Sequence, residues 1–337
     1  MTRRAGLGGG ALSRRFAADP AAWLLKARSP LVKYRTAVDL LGWPADAPDV
    51  AGWWARRYED PDLAAVAAAQ NADGVWPSPS RFYGRRPSLV VPRYAATAWQ
   101  LPILADMGCG LDEDVVARAA AALRARRTAD GAFDLGAGGV STLAMAVVVR
   151  SLAAFGPAAG ELGETRRWLV ARQRPDGGWA DDDELAASDA PSTVGTTAEV
   201  LRALAGDDAS AAARSAGVRY LAASYSTSYN GRFPPSAAAW RRLSWPQYRF
   251  DALSVATAMW AAGASRRDVA PFAEAVRAAQ TRRGFWRQQF AFGGESRLTP
   301  VGAGRASRWI TLDAARLLCW YYGAAGERDC GNNGNLL

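Results

Sequence analysis

Gln173-Arg174-Pro175-Asp176-Gly177-Gly178-Trp179 is a helix stop followed by an aromatic residue, and it is one of five such turns in a chain of 337 residues. The others are Gln70 to Trp76 (QNADGVW), Arg127 to Phe133 (RTADGAF), Thr227 to Phe233 (TSYNGRF) and Gln280 to Trp286 (QTRRGFW), so successive copies begin 46 to 57 residues apart. Each has glycine at its fifth position, where a chain leaving a helix takes up a left-handed backbone that only glycine adopts without penalty. The aromatic folds back over the helix just ended, and the leading glutamine can hydrogen-bond backbone groups freed at a neighbouring helix end. Five such turns in phase mark a stacked repeat.

Between the turns two kinds of helix alternate. Segments opening near Tyr34, Tyr94, Ser141, Ser192, Asp251 and Arg308 are apolar nearly all round and belong inside. Residues 60–70, 112–126, 161–172, 207–223 and 267–280 are amphipathic and studded with Arg and Glu, and residues 18–27 are a candidate sixth of this outer kind. Six inner and six outer helices wound alternately close into a ring, so the sequence predicts an all-α fold, an (α/α)6 toroid. Val/Ile-rich runs of strand period are missing, which removes a βαβ architecture. The expected organisation is a flexible basic arm over residues 1–17, one toroid domain over 18–325 and a flexible tail over 326–337.

Composition narrows the chemistry. Half of the residues are hydrophobic, enough for one large repeat-built core. Every apolar run is broken by Arg, Asp or Gly before it reaches the length of a membrane span, which leaves peripheral membrane contact as the only kind open to the chain. The formal charge of +9 rests almost wholly on Arg, with Lys only at positions 26 and 33. No basic segment is interleaved with aromatics, so nucleic acid is not an expected partner. No apolar h-region follows the N-terminal arginines, and the three cysteines, Cys109, Cys319 and Cys330, have no metal-like spacing. A reducing cytoplasm suits both features.

Histidine is absent. That removes Ser-His-Asp and Cys-His machinery and the common zinc sites, so neither metal nor cofactor is expected and proton chemistry falls to other side chains.

A ring of parallel inner helices would gather their N-termini, each with about half a positive charge, at one mouth. Lys33, Arg35, Arg93, Arg249, Arg305 and Arg308 stand near those starts and suit an anionic head group. Tyr34, Tyr94, Trp99, Trp260 and Trp309 lie on the same helices and could wall a cavity for a polyene or a carbocation. Asp251 and Asp313 are the candidate acids, with Asp39 behind them. Asp251 also reads as a helix N-cap, and Asp313 as the partner of Arg316 one turn on.

These turns resemble the QW repeats of squalene-hopene cyclases and related prenyltransferase-like α/α-toroids. The stretch from Gln173 to Trp179, with Asp189-Ala-Pro-Ser-Thr-Val-Gly-Thr-Thr-Ala198 after it, is especially similar to one repeat of those cyclases, and the likeness runs from about residue 30 to 325. The cyclases pair two toroids where this chain has room for one. It is more similar still to stand-alone squalene-cyclase-like bacterial proteins, in Pro30-Leu-Val-Lys-Tyr-Arg35, Arg93-Tyr-Ala-Ala-Thr-Ala-Trp99, Tyr248-Arg-Phe-Asp251 and Ser307-Arg-Trp-Ile-Thr-Leu312.

The resemblance implies a metal-free, terpene-cyclase-like enzyme that holds an isoprenoid in a central cavity and starts cyclisation or isomerisation by protonation. Asp251 would then be the acid, Trp99, Trp260 and Trp309 the wall facing the cation, and the arginine rim the anchor. The D-x-D-D-T-A motif that supplies the acid in class II cyclases is missing, and the nearest match, Asp181-Asp-Asp-Glu184, follows a turn instead of opening an inner helix. The D-D-x-x-D motif of class I synthases is missing too. The alternative is a non-catalytic toroid that binds a hydrophobic ligand or a protein.

Overall fold

The computed structural model describes residues 15–76, 88–90, 94–136, 141–156, 162–181, 192–225, 240–247, 250–290, 297–298 and 301–323. Inner helices are α2 (Pro30–Arg35, continued by a π-helical turn Thr36–Leu40), α5 (Thr97–Met107), α7 (Thr142–Ala154), α9 (Val194–Ala203), α11 (Ala252–Ala261) and α13 (Arg308–Tyr322). Outer helices are α1 (Pro20–Leu24), α4 (Pro61–Ala68), α6 (Asp114–Arg124), α8 (Gly163–Val170), α10 (Ala211–Ser224) and α12 (Arg266–Ala278). One further helix, α3 (Pro48–Ala55), stands outside the alternation and packs on α2 through Tyr34 and Trp54, whose ring centroids are 4.6 Å apart.

The inner helices follow one another around an axis: α5 packs on α7, α7 on α9, α9 on α11, α11 on α13, and α13 on α2. The circle closes where the Arg35 side chain of α2 lies against Gly108, the left-handed cap of α5. A Cβ at Gly108 would stand 2.1 Å from Arg35 Nη1, so this approach requires glycine. The fold is the predicted (α/α)6 toroid, and the candidate sixth outer segment is α1.

Local chemistry sets the helix starts. Ser29, Ser141, Thr193, Asp251 and Ser307 each cap an inner helix by accepting an amide hydrogen bond within its first turn, a contribution of about 1 kcal/mol apiece. Every position of α9 is buried, as an inner helix demands.

The turns act as expected and do more. Gln70, Gln173 and Gln280 each donate from Nε2 to the glycine carbonyl of their own turn and to a carbonyl at the start of the next outer helix: Val115 at 2.8 Å, Ala213 at 2.8 Å and Ala18 at 3.2 Å. The indole N–H groups of Trp76, Trp179 and Trp286 reach back to Val66, Leu169 and Val276 of the helix just ended. Their backbone N–H groups bond Thr97, Thr197 and Thr311 in the inner helix ahead. In the second copy the Arg127–Glu164 ion pair (2.9 Å) does the work of the glutamine. The copy from Thr227 to Phe233 lies outside the described residues.

The packed domain begins earlier than expected. Phe16 is buried edge-on against Trp286, and the Ala17 N–H bonds Gln280 Oε1, so these two residues belong to the ring and not to the arm predicted over 1–17. No helix among the described residues is long and apolar enough to cross a membrane.

Candidate functional site

The interior of the ring is charged where the sequence suggested grease. Arg35 of α2, Asp106 of α5, Arg150 of α7, Arg202 of α9, Thr257 of α11, and Asp313 and Arg316 of α13 line one cavity of about 90 Å³. Five inner helices contribute from their C-terminal halves and α13 from its middle, so the six run in the same direction around this space. Among the described residues no aromatic side chain lines it.

A chain of polar contacts circles the cavity. Arg150 Nε is 3.0 Å from Glu199 Oε2, an ion pair without the alignment of a hydrogen bond, and Glu199 Oε1 accepts from Arg202 at 2.7 Å. Arg202 also donates to Gln247 Oε1 (2.7 Å), and Gln247 Nε2 donates to Asp313 Oδ2 (3.1 Å). Arg316 stands between Asp313 (3.9 Å) and Asp39 (3.8 Å), and Asp39 is held by Arg35 at 2.6 Å. Burial pushes the Asp313 carboxyl up to about 7, with the nearby Asp106 adding to the rise. Burial raises Asp106 as well.

Toward the helix starts the axis is plugged. Trp99, Leu143, Val147 and Phe250 leave only about 10 Å³ between them. The larger apolar space lies at the mouth, where α2, α4 and α13 begin. This pocket of about 270 Å³ is walled by Val32, Trp245, Pro246, Leu298, Val301 and Trp309, with Arg28 and Arg308 also lining it. Trp245 and Trp309 stack at 5.1 Å.

The segment Ser244–Gln247 divides the two spaces, with Trp245 and Pro246 on the mouth pocket and Gln247 on the charged cavity. Gln288 grips this segment, accepting the Trp245 N–H and donating to the Trp245 carbonyl.

Asp251 holds the same segment. Its Oδ2 accepts from the Ser244 amide (2.8 Å) and hydroxyl (3.3 Å), and its Oδ1 from the amides of Leu253 and Ser254 (3.0 Å each). Burial pushes this carboxyl up to about 7 against those four bonds. Both oxygens are nevertheless turned to protein donors, and Asp251 lines none of the three spaces described. It is an N-cap and a loop anchor.

The other predicted site residues scatter. Arg35 and Asp313 reach the charged cavity, Trp99 the axial plug, and Trp309 and Arg308 the mouth pocket. Arg308 is already engaged, lying 3.5 Å over the Trp23 ring and donating to its carbonyl. Tyr34 packs outward on Trp54, Tyr94 sits edge-on to Trp99, and Trp260 stacks on Trp320 at the opposite end of the ring from the mouth. Arg93 and Arg249 lie outside the described residues. Asp181, first of the acidic run after the third turn, bonds the Ser141 hydroxyl and the Leu143 amide at the start of α7, which is a capping role.

Residues 88–233 match the family described as the squalene-hopene cyclase C-terminal domain. The likeness is to squalene-hopene cyclases. No curated protein sequence matches the chain. Among solved structures, a protein from Actinoplanes aligns over 91% of this chain and 98% of its own, at 15% identity and a TM-score of 0.47. The type II terpene cyclase MstE from Scytonema, without ligand, aligns over 76% of this chain and 95% of its own, at 14% identity and a TM-score of 0.39. The ent-copalyl diphosphate synthase from Streptomyces platensis aligns over 90% of this chain and 57% of its own, at 18% identity and a TM-score of 0.34. The cyclase-like stretch 88–233 carries α5 to α10, and with them Asp106, Arg150 and Arg202. Arg35, Asp313, Arg316 and every residue lining the mouth pocket fall outside it.

Sequence reasoning missed Asp106, Arg150, Arg202, Trp245 and Gln247. Asp106 and Arg150 are lone charges in the C-terminal halves of apolar helices, and Arg202 shares such a helix with Glu199, a pattern that appears once the inner helices are laid side by side. The last two sit in a loop with no periodicity to reveal them.

Proposed function

We propose that this cyclase-like toroid binds a hydrophobic small molecule in the mouth pocket, against the stacked Trp245 and Trp309, and does not protonate it there. One observation carries the reading: the apolar space and the available acids do not meet. Two carboxylates line the pocket, and both serve the start of α4: Asp60 is taken up by the Ser29 hydroxyl and the amides of Asp62 and Leu63, and Asp62 stands in the first turn, where an acidic side chain complements the helix dipole. The acids without such saturation, Asp106 and Asp313, face a charged cavity of about 90 Å³, well under the roughly 300–1,000 Å³ of ordinary ligand pockets. The mouth pocket, at about 270 Å³, comes close to that range.

A second reading, proton-initiated cyclisation or isomerisation, draws support from Asp313, whose carboxyl titrates near neutrality as a general acid should. Incubation with farnesol or geranylgeraniol, followed by native mass spectrometry and product analysis, separates the two. Bound alcohol recovered unchanged fits the binding protein. An isomeric product, lost in Asp313→Asn, fits the enzyme. Absence of any complex or product sinks both.

A further inference from the structure

The charged cavity has no part in the binding reading above, yet it is built as a site. Four guanidinium groups (Arg35, Arg150, Arg202, Arg316) and two carboxyls (Asp106, Asp313) line it, and two further carboxylates (Asp39, Glu199) pair with those arginines, so with every carboxyl ionised the charges balance. Most are committed to close partners: Arg35 to Asp39 at 2.6 Å, and Glu199 to Arg202 at 2.7 Å and Arg150 at 3.0 Å.

One charge of each sign is not. Arg316 is 9% exposed and lines the cavity, its nearest carboxylate oxygens are 3.8 and 3.9 Å away, and its buried Nε has no acceptor among the described residues. Asp106, contributed by α5, forms no hydrogen bond with the described residues; Arg150, Arg202 and Arg35 oppose its charge through space. Asp313 beside it accepts a single bond, from Gln247.

We propose that this cavity binds a small zwitterion, an α-amino acid of about glycine's size, with its carboxylate on Arg316 and its ammonium group on Asp106 and Asp313. A lone anion or cation would leave an unmatched charge in a balanced, buried site, at the cost that burying an unpaired ion carries. A zwitterion adds no net charge and gives both uncommitted groups a partner. Size sets the ceiling: an apolar cavity of about 150 Å³ holds the six heavy atoms of benzene, so about 90 Å³ corresponds to roughly four, and glycine with its five seats as the Arg316 side chain swings onto its carboxylate. Among the described residues no three metal-ligating side chains converge, so the arrangement does not favour a metal ion.

Isothermal titration and thermal unfolding of the full chain test this with glycine and alanine, with leucine as an oversized control and acetate and methylammonium as half-ligands. Saturable binding of glycine or alanine is expected, with a raised Tm, and the half-ligands and leucine should bind at least about tenfold more weakly. Because Asp106 makes no hydrogen bond with the described residues, Asp106→Asn removes no such contact and should still unfold cooperatively in urea, yet lose the binding; Arg316→Gln should lose it as well. If glycine and alanine give no saturable heat, bind no better than acetate, or bind Asp106→Asn as well as the wild type, the assignment is wrong. None of these readouts depends on the mouth pocket.

Discussion

Gln280 Nε2 hydrogen-bonds the carbonyl of Ala18, joining residues 262 apart in sequence. The same contact runs from Gln70 to Val115 and from Gln173 to Ala213, each time from the end of one outer helix to the start of the next. In the last repeat the next outer helix is α1, so a local rule of the repeat also closes the ring.

Gln280→Ala should therefore destabilise the protein by about 1–2 kcal/mol, since it strips partners from the part-buried carbonyls of Ala18 and Gly284. Gly284→Ala should cost more. Gly284 has φ +87°, and a Cβ there would stand 2.8 Å from the Ala18 carbonyl oxygen. Urea unfolding checks both; wild-type midpoints would show that the closure carries no stability.

Trp179→Phe removes the indole donor to the Leu169 carbonyl (2.8 Å) while keeping most of the ring's apolar surface. A loss of about 1–3 kcal/mol is expected from the missing indole hydrogen bond and the smaller ring, the Leu169 carbonyl keeping its bond from the Arg172 amide. Phe133 stands in the same place in the second copy, so a folded but weakened protein is the outcome to look for.

Asp313 gives a pH signature. Its carboxyl moves from an ordinary 3.8 to about 7 on folding, so between those values the folded chain holds a proton that the unfolded chain has released. Stability from this group is thus lost as pH rises through that window. Asp313→Asn does not titrate, and its urea midpoint should gain on the wild type between about pH 4 and pH 7 and run parallel outside that range. A constant difference across the range would contradict the assignment.

Asp251→Asn tests the anchoring role. An amide at this position turns a donor toward either Ser244 or the start of α11, both of which need an acceptor. The variant should lose about 2–3 kcal/mol, the cost of unsatisfied buried donors. A proton donor facing a substrate would leave the Tm nearly unchanged.

Much of the architecture was legible because its determinants are local. Glycine at the fifth position, the folded-back tryptophan and the cap Asp251 each act within a few residues, and residues 18–27, a candidate sixth outer segment, hold α1. The interior was misjudged for the opposite reason. Trp260 and Tyr34 look like cavity residues on a helix read alone, yet their partners Trp320 and Trp54 come from distant segments and draw them away from the axis. Asp106 and Arg316 look like blemishes in apolar helices until the ring sets them around one space.

The mouth pocket is the centre of the functional account, and quenching of tryptophan fluorescence by a bound polyprenyl alcohol tests it most directly. Titration with farnesol should quench the wild type saturably, Trp309→Ala should weaken binding at least about tenfold, and Trp99→Phe, at the axial plug and outside the lining of the mouth pocket, should bind as the wild type does. Binding that survives Trp309→Ala but is lost in Trp99→Phe would place the ligand on the ring axis and contradict the account.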